Sequence, residues 1–213
     1  LPFYLLPLLW AIGLIMLYAA RLPAAYQHGR YVMPALPSIV MVGAIGMLYA
    51  VNQWKYSLLP RVIGRALLIA SLLLSIGFAL VIAPPIFGRD VAIINEEMVA
   101  SAYWIRDNLS EDELLAIHDI GAVGYFASRP MLDIAGLVSP DVAPIVDDAD
   151  ALWALMQARD AHYLMAFPDQ IPGDDVDDPR LCQMFITDGE SARLAGGSNM
   201  AIYRLAWDEQ CER

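Results

Sequence analysis

Hydrophobic positions in this chain come first in long unbroken runs and later in short ones separated by polar turns. Leu1–Ala20, Tyr31–Trp54 and Ala66–Gly88 hold no side chain that is charged at neutral pH. Each reaches the roughly 20 residues that carry a helix across a ~30 Å hydrocarbon layer. Backbone groups in lipid must be satisfied within their own segment, so the pattern predicts three transmembrane helices at about 1–20, 31–54 and 66–88. Pro2, Pro7, Pro34, Pro37, Pro84 and Pro85 sit near the ends of these runs, and Trp10, Tyr31, Trp54 and Tyr56 are candidate interfacial anchors.

The period then changes. Ile94, Met98, Ala102 and Ile105 recur at helical spacing and predict an amphipathic connecting helix over 89–110. From 111 to 213 the apolar runs are short: Leu114–His118, Met131–Ile134 and Tyr163–Phe167 read as strands. Between them, Gly121–Ala127 reads as a short helix, and Asp150–Arg159 as a helix turning Leu152, Leu155 and Met156 to the core. Ser110 and Glu113 have the spacing of a capping box, but the strand-like run that follows makes the match accidental. Met184–Thr187 and Met200–Ala206 flank a polar stretch with Gly189, Gly196 and Gly197 and predict a closing hairpin. The predicted fold class is therefore an α-helical transmembrane segment of three spans, residues 1–88, followed by a small α/β domain with a parallel or mixed sheet.

Charge sharpens that boundary. Of 213 residues, the first 89 carry six Lys or Arg and no acid, whereas all 24 Asp and Glu lie in 90–213 beside seven Arg, a formal charge of −17 there. A surface this acidic excludes nucleic acid, whose phosphates require Lys and Arg. Orientation stays open, because Lys55, Arg61 and Arg65 on one side of the predicted spans balance Arg21, Arg30 and Arg89 on the other. Cys182 and Cys211, both in the acidic domain, suit one disulfide in an oxidising compartment or two unpaired thiols. The chain begins at Leu, which leads us to expect the carboxyl-terminal portion of a longer membrane protein.

Candidate chemistry falls in two places. The loop Arg21–Tyr31, RLPAAYQHGRY, packs groups that are costly in the bilayer into a short connection. His28, Gly29 and Arg30 form a candidate phosphate clamp, a planar fork of donors beside a switchable one and a close-approach glycine. A solvated loop whose arginines snorkel to lipid phosphates accounts for the same residues. In the acidic domain His118, Asp119 and Asp133 fall at the carboxyl ends of predicted strands, where α/β sheets gather ligands. Asp119 and His118 suit hydroxyl recognition or acid–base work; alternatively Asp119 caps the next helix and Asp133 fixes the turn before Gly136. Arg129, ahead of the second strand, is a phosphate contact or a partner of the surrounding acids.

The acidic runs Asp147–Asp150 and Gly173–Asp178 offer carboxylate oxygens to a divalent cation but lack an EF-hand loop, so solvated loops are their plainer use. His162 has no second His or Cys at metal-ligand spacing, and no metal site is assigned. GAVG, Gly121–Gly124, is not a dinucleotide fingerprint, and no Walker A loop, G-x-S-x-G elbow or HExxH helix occurs.

The run YQHGRYVMPALP, Tyr26–Pro37, resembles the loop that enters a late transmembrane helix in bacterial polytopic glycosyltransferases of the GT-C class, which include protein mannosyltransferase-like and lipid A aminoarabinose transferase-like enzymes. HDIGAVGYFASRPMLDIAGLVSP, His118–Pro140, is similar to the soluble tail of such proteins. The resemblance implies a polyprenyl-phosphate sugar donor, a glycan, lipid or protein acceptor, and an extracytoplasmic location for the loop and the soluble domain of an integral membrane protein. It makes His28 and Arg30 donor-phosphate ligands. The family places an acidic catalytic residue in its first extracytoplasmic loop, and no Asp or Glu precedes Asp90 here. The catalytic carboxylate is thus expected outside this chain. A non-enzymatic, membrane-tethered α/β binding or scaffold module is the alternative; a transporter is disfavoured because no acid lies in a predicted span to couple ions.

Overall fold

The computed structural model describes residues 5–21, 26–53, 58–207 and Cys211, without the side chains of 26–29, 50–53 and 60. The chain forms two compact units, Leu1–Val81 and Ile82–Arg213.

The first unit is helical. α1 spans Leu5–Arg21, a 3-10 helix Tyr26–Ala35 leads into α2, Leu36–Gln53, and α3 covers Leu58–Gly77. Leu48, Leu58 and Leu74 are more than 70% exposed, an outward face that fits an apolar surrounding rather than water. Two helical runs, Arg30–Tyr49 and Arg61–Asn108, are long and apolar enough to cross a membrane; α1, with 17 residues, is shorter. The predicted span 31–54 begins as a 3-10 helix, with Pro34 inside it. The end of that span at Trp54 lies outside the described residues.

The boundary predicted between a third span at 66–88 and a connecting helix at 89–110 does not exist as a break. A π turn, Phe78–Ile82, passes directly into α4, Ala83–Ile93, whose first turn holds Pro84 and Pro85. Inside a continuous helix a proline removes one N–H donor and crowds the preceding turn, and the π turn directly ahead of Pro84 and Pro85 is where the helix accommodates them. A second π turn, Ile94–Val99, precedes α5, Ala100–Asn108. Its extra residue rotates the apolar stripe: Ala102 and Ile105 are buried, while Ile94 is 52% exposed and outside the core.

The second unit contains a mixed five-stranded sheet, order β2-β1-β3-β5-β4. β1 (Leu115–Ile117), β2 (Met131–Asp133) and β3 (Tyr163–Ala166) are parallel, whereas β5 (Ala201–Leu205) runs antiparallel to both β3 and β4 (Leu181–Ile186). α6 (Ile120–Phe126) crosses from β1 to β2, and α7 (Ala149–Ala158) from β2 to β3. Period-two alternation divides the core. Ala116, Leu164, Ala166 and Tyr203 meet Leu152, Trp153 and Met156 of α7 on one face, and Leu115, Ile117, Met165 and Ile202 meet Ala102 and Ile105 of α5 and Val123 of α6 on the other. The central strands are buried on both sides and so read as continuous apolar runs.

The closing hairpin differs in detail from its prediction. β4 starts at Leu181 rather than Met184, its register slips between Gln183 and Phe185, and the expected polar turn contains α8, Glu190–Leu194. α8 begins where Glu96 accepts hydrogen bonds from Ser191 N (2.8 Å) and Oγ (2.9 Å), a long-range anchor that local spacing does not announce. No helix follows Ser110; Glu113 N donates to Ser110 O in a turn.

Candidate functional site

In a sheet whose first strand lies between the second and third, the chain leaves β1 to one side and later returns on the other. The β1/β3 boundary is therefore a topological switch point, where the loops after the strands part and leave a crevice. Here β1 ends at Ile117 and delivers His118 and Asp119; β3 ends at Ala166 and delivers a 3-10 turn, Pro168–Gln170. Gln170 ties the two loops together: its Nε2 donates to Asp119 Oδ2 (3.2 Å), and its Oε1 accepts from Phe167 N (3.2 Å). Asp119 occupies the N-cap position of α6, yet its carboxylate makes no cap bond and turns to Gln170 instead.

His118 Nδ1 lies 3.8 Å from Asp119 Oδ2, an ion-pair distance rather than a hydrogen bond. That nitrogen is shielded from solvent and has no hydrogen-bond partner among the described residues. The neighbouring imidazole, joined by the Gln170 amide, holds the Asp119 carboxyl below the usual carboxylate range against the upward pull of burial. Asp119 is thus an acceptor at neutral pH. Beside them opens a cleft of about 460 Å³, whose lining mixes His118, Asp147, Asp169, Gln170 and Asp174 with the apolar Ile134 and Leu152. No group of three or more His, Cys, Asp or Glu side chains arranged to hold a metal ion occurs among the described residues.

Asp133, at the end of β2, does not join this cluster. It is fully buried, and its carboxylate accepts from Ala135 N (3.0 Å) and Val138 N (2.6 Å), while its own N–H donates to Ser139 Oγ (3.2 Å). It holds the loop around Gly136, whose φ of +73° favours glycine and where an added Cβ would come within 3.2 Å of the Ala143 backbone. Arg129 lies at the opposite end of the sheet, 8% exposed, donating to the carbonyls of Ser110 and Glu113.

In the first unit, Arg30 is exposed at the first residue of the run Arg30–Tyr49. Its Nη2 donates to Tyr31 Oη (3.0 Å), with the guanidinium 4.9 Å from the Tyr31 ring centroid, and that ring stacks on Tyr18 at 5.5 Å. The side chain of His28, the other proposed phosphate ligand, lies outside the described residues.

Two further groups matter. Cys182 and Cys211 are joined by a disulfide. Glu97 was not singled out from sequence, yet it is fully buried and accepts from Met200 N (2.7 Å), Asn199 Nδ2 (2.9 Å) and Thr187 Oγ1. The available signal was its spacing: Ser101 and Ile105, four and eight residues on, share its buried face.

No curated protein matches the chain. Residues 91–206, just over half of it, match a domain of unknown function, DUF8728. The match begins in the helix that enters the second unit and ends after the last strand, so it takes in the sheet, the switch-point cleft and the Glu97 anchor. The chain belongs to the DUF8728 family.

Proposed function

We propose that this chain is the carboxyl-terminal part of an integral-membrane glycosyltransferase that moves a sugar from a polyprenyl-phosphate donor to an extracytoplasmic glycan, lipid or protein. α1 supplies a third span in this reading, and the disulfide favours placing the acidic domain in an oxidising, extracytoplasmic compartment. The observation that carries the proposal is the exposed Arg30 guanidinium at the mouth of the run Arg30–Tyr49, inside the sequence that resembles a donor-binding loop. Its planar fork, steadied by Tyr31, suits two phosphate oxygens at once.

The reaction is a displacement at the anomeric carbon. A carboxylate from outside this chain takes the acceptor hydroxyl proton, the new C–O bond forms, the bond to the donor phosphate breaks, and Arg30 with His28 stabilises the phosphate that leaves.

The test is donor turnover by the full-length protein in vesicles, wild type against Arg30→Ala and Arg30→Lys. Removing one preorganised donor to a developing anion lowers turnover by about 100-fold or more, with partial recovery in the lysine variant. Wild-type turnover by Arg30→Ala, in protein that inserts normally, removes Arg30 from the mechanism. The tethered-module reading is favoured by a different observation: the second unit has its own two-faced core and its own cleft. It predicts ligand binding without donor turnover by either protein.

A further inference from the structure

The α/β unit presents the switch-point cleft at the end of the sheet toward which α4 and the loop after β2 lie. α5 packs against β1 and β3, and six residues, 109–114, join the end of α5 to the start of β1. A connection that short turns the chain back, so β1 climbs the helix in reverse and finishes beside the helix's earlier turns. Two contacts agree. Glu97 binds Met200 N immediately ahead of β5, whose Ala201 pairs with Ala166 at the carboxyl end of β3. Ile93 lines a second hollow, of about 390 Å³, together with Phe167 and Asp169, and Asp169 also lines the switch-point cleft.

That end carries exposed apolar side chains from two separate elements. Phe87 and Val91 project from α4 at 71% and 40% exposure, and Leu137 and Val138 project from the loop after β2 at 76% and 66%. The Asp133 hydrogen bonds fix this loop in place. Apolar side chains at the same end as a polar crevice are what a headgroup layer accommodates, with the apolar groups toward acyl chains and the crevice among polar heads. The cleft lining holds Asp147, Asp169 and Asp174 and no Lys or Arg, so a phosphate headgroup meets repulsion there. Carboxylates, an amide and an imidazole among apolar side chains suit instead the hydroxyls and C–H face of a sugar.

We propose that the β1/β3 cleft binds the sugar headgroup of an uncharged or cationic lipid-linked glycan at the bilayer surface. This rests on the membrane placement in the transferase reading and gives that reading an acceptor class; binding itself needs neither turnover nor Arg30.

The test uses the full chain in phosphatidylcholine nanodiscs and follows the His118 Cε1–H signal by NMR. Monoglucosyl, monogalactosyl and glucosaminyl diacylglycerol are titrated in turn, against the three free sugars and phosphatidic acid. The expected result is a His118 shift with at least one glycolipid, at an effective concentration about tenfold below that for its free sugar, and no shift with phosphatidic acid. Asp169→Asn, at an exposed position and so compatible with folding, raises the half-saturation point by about tenfold, as does Gln170→Ala. Silence with all three glycolipids, equal response to free sugar, response to phosphatidic acid, or unchanged binding by a folded Asp169→Asn overturns the proposal. Because no turnover is read, inactivity of Arg30→Ala or its absence leaves this result standing on its own.

Discussion

Glu97 and Thr187, 90 residues apart in the chain, hydrogen-bond to each other in the buried seam between the entry helix and the hairpin. Around that contact, Met200 N and Asn199 Nδ2 complete the shell of the carboxylate. Each donor has a second, weaker outlet, Thr187 Oγ1 to Met200 O, Asn199 Nδ2 to Gly189 O and Met200 N to Thr187 Oγ1, so removing the carboxylate costs its charge-assisted bonds and leaves no donor stranded. Glu97→Ala therefore lowers stability by about 1.5–3 kcal/mol, and Glu97→Gln by less because one acceptor oxygen remains. Thermal unfolding followed by near-ultraviolet circular dichroism ranks the two; equal melting temperatures for Glu97→Ala and wild type contradict this account.

Gly189 tests the same seam from the other side. Its φ of −51° is open to any residue, so the reason for glycine is proximity: an added Cβ collides with Glu97 Oε1 and crowds the Cβ of Glu96. Gly189→Ala is expected to destabilise by about 1–3 kcal/mol, the usual cost of overpacking. Combining it with Glu97→Ala should give less than the sum of the two losses, since the truncated side chain makes space; strict additivity in a double-mutant cycle places the strain elsewhere.

Acid sensitivity follows from two carboxylates of the soluble domain. Asp178 is held below the usual range chiefly by Arg180, whose guanidinium also lies 4.0 Å from the Trp153 ring centroid, and Asp119 by His118 and Gln170. A depressed folded value means that the unfolded chain takes up the proton first. Stabilisation by these groups is complete above the unfolded values, near pH 4, and fades as pH falls through the lower folded values. Denaturation midpoints should thus be flat from about pH 7 to 5 and drop below about pH 4, with a shallower drop in Asp178→Asn. An identical acid profile in that variant assigns the effect to other groups.

Reduction of Cys182–Cys211, which closes a loop with a sequence separation of 29, releases a restraint on the unfolded chain worth about 3–4 kcal/mol in the chain-entropy treatment. A melting scan with and without a phosphine reductant should show a clear downward shift, and Cys182→Ser should match the reduced protein. A reduced protein that melts like the oxidised one contradicts a stabilising role for the bridge.

What the sequence revealed, and what it hid, follows the range of the interactions. Leu115–Ile117 and Met131–Asp133 were visible as strands because burial on both faces leaves an uninterrupted apolar run. His118 and Asp119 were placed at a strand end from the same pattern. Gln170 escaped notice, since its role comes from a hydrogen bond across 51 residues and amide side chains carry no local signature. The start of β4 at Leu181 is hidden because an edge strand exposes Gln183 and Met184 and blurs the alternation. α8 is too short for a periodic signal and depends on Glu96, 95 residues upstream of Ser191.

The slip between Gln183 and Phe185 has a consequence for the protein among its neighbours. β4 is one of the two edge strands of the sheet, the longer one, and a straight edge strand offers a row of free amide and carbonyl groups to any passing chain. The irregularity interrupts that row midway. Copies held at high density on one surface then lack, along β4, a continuous template for zipping edge to edge.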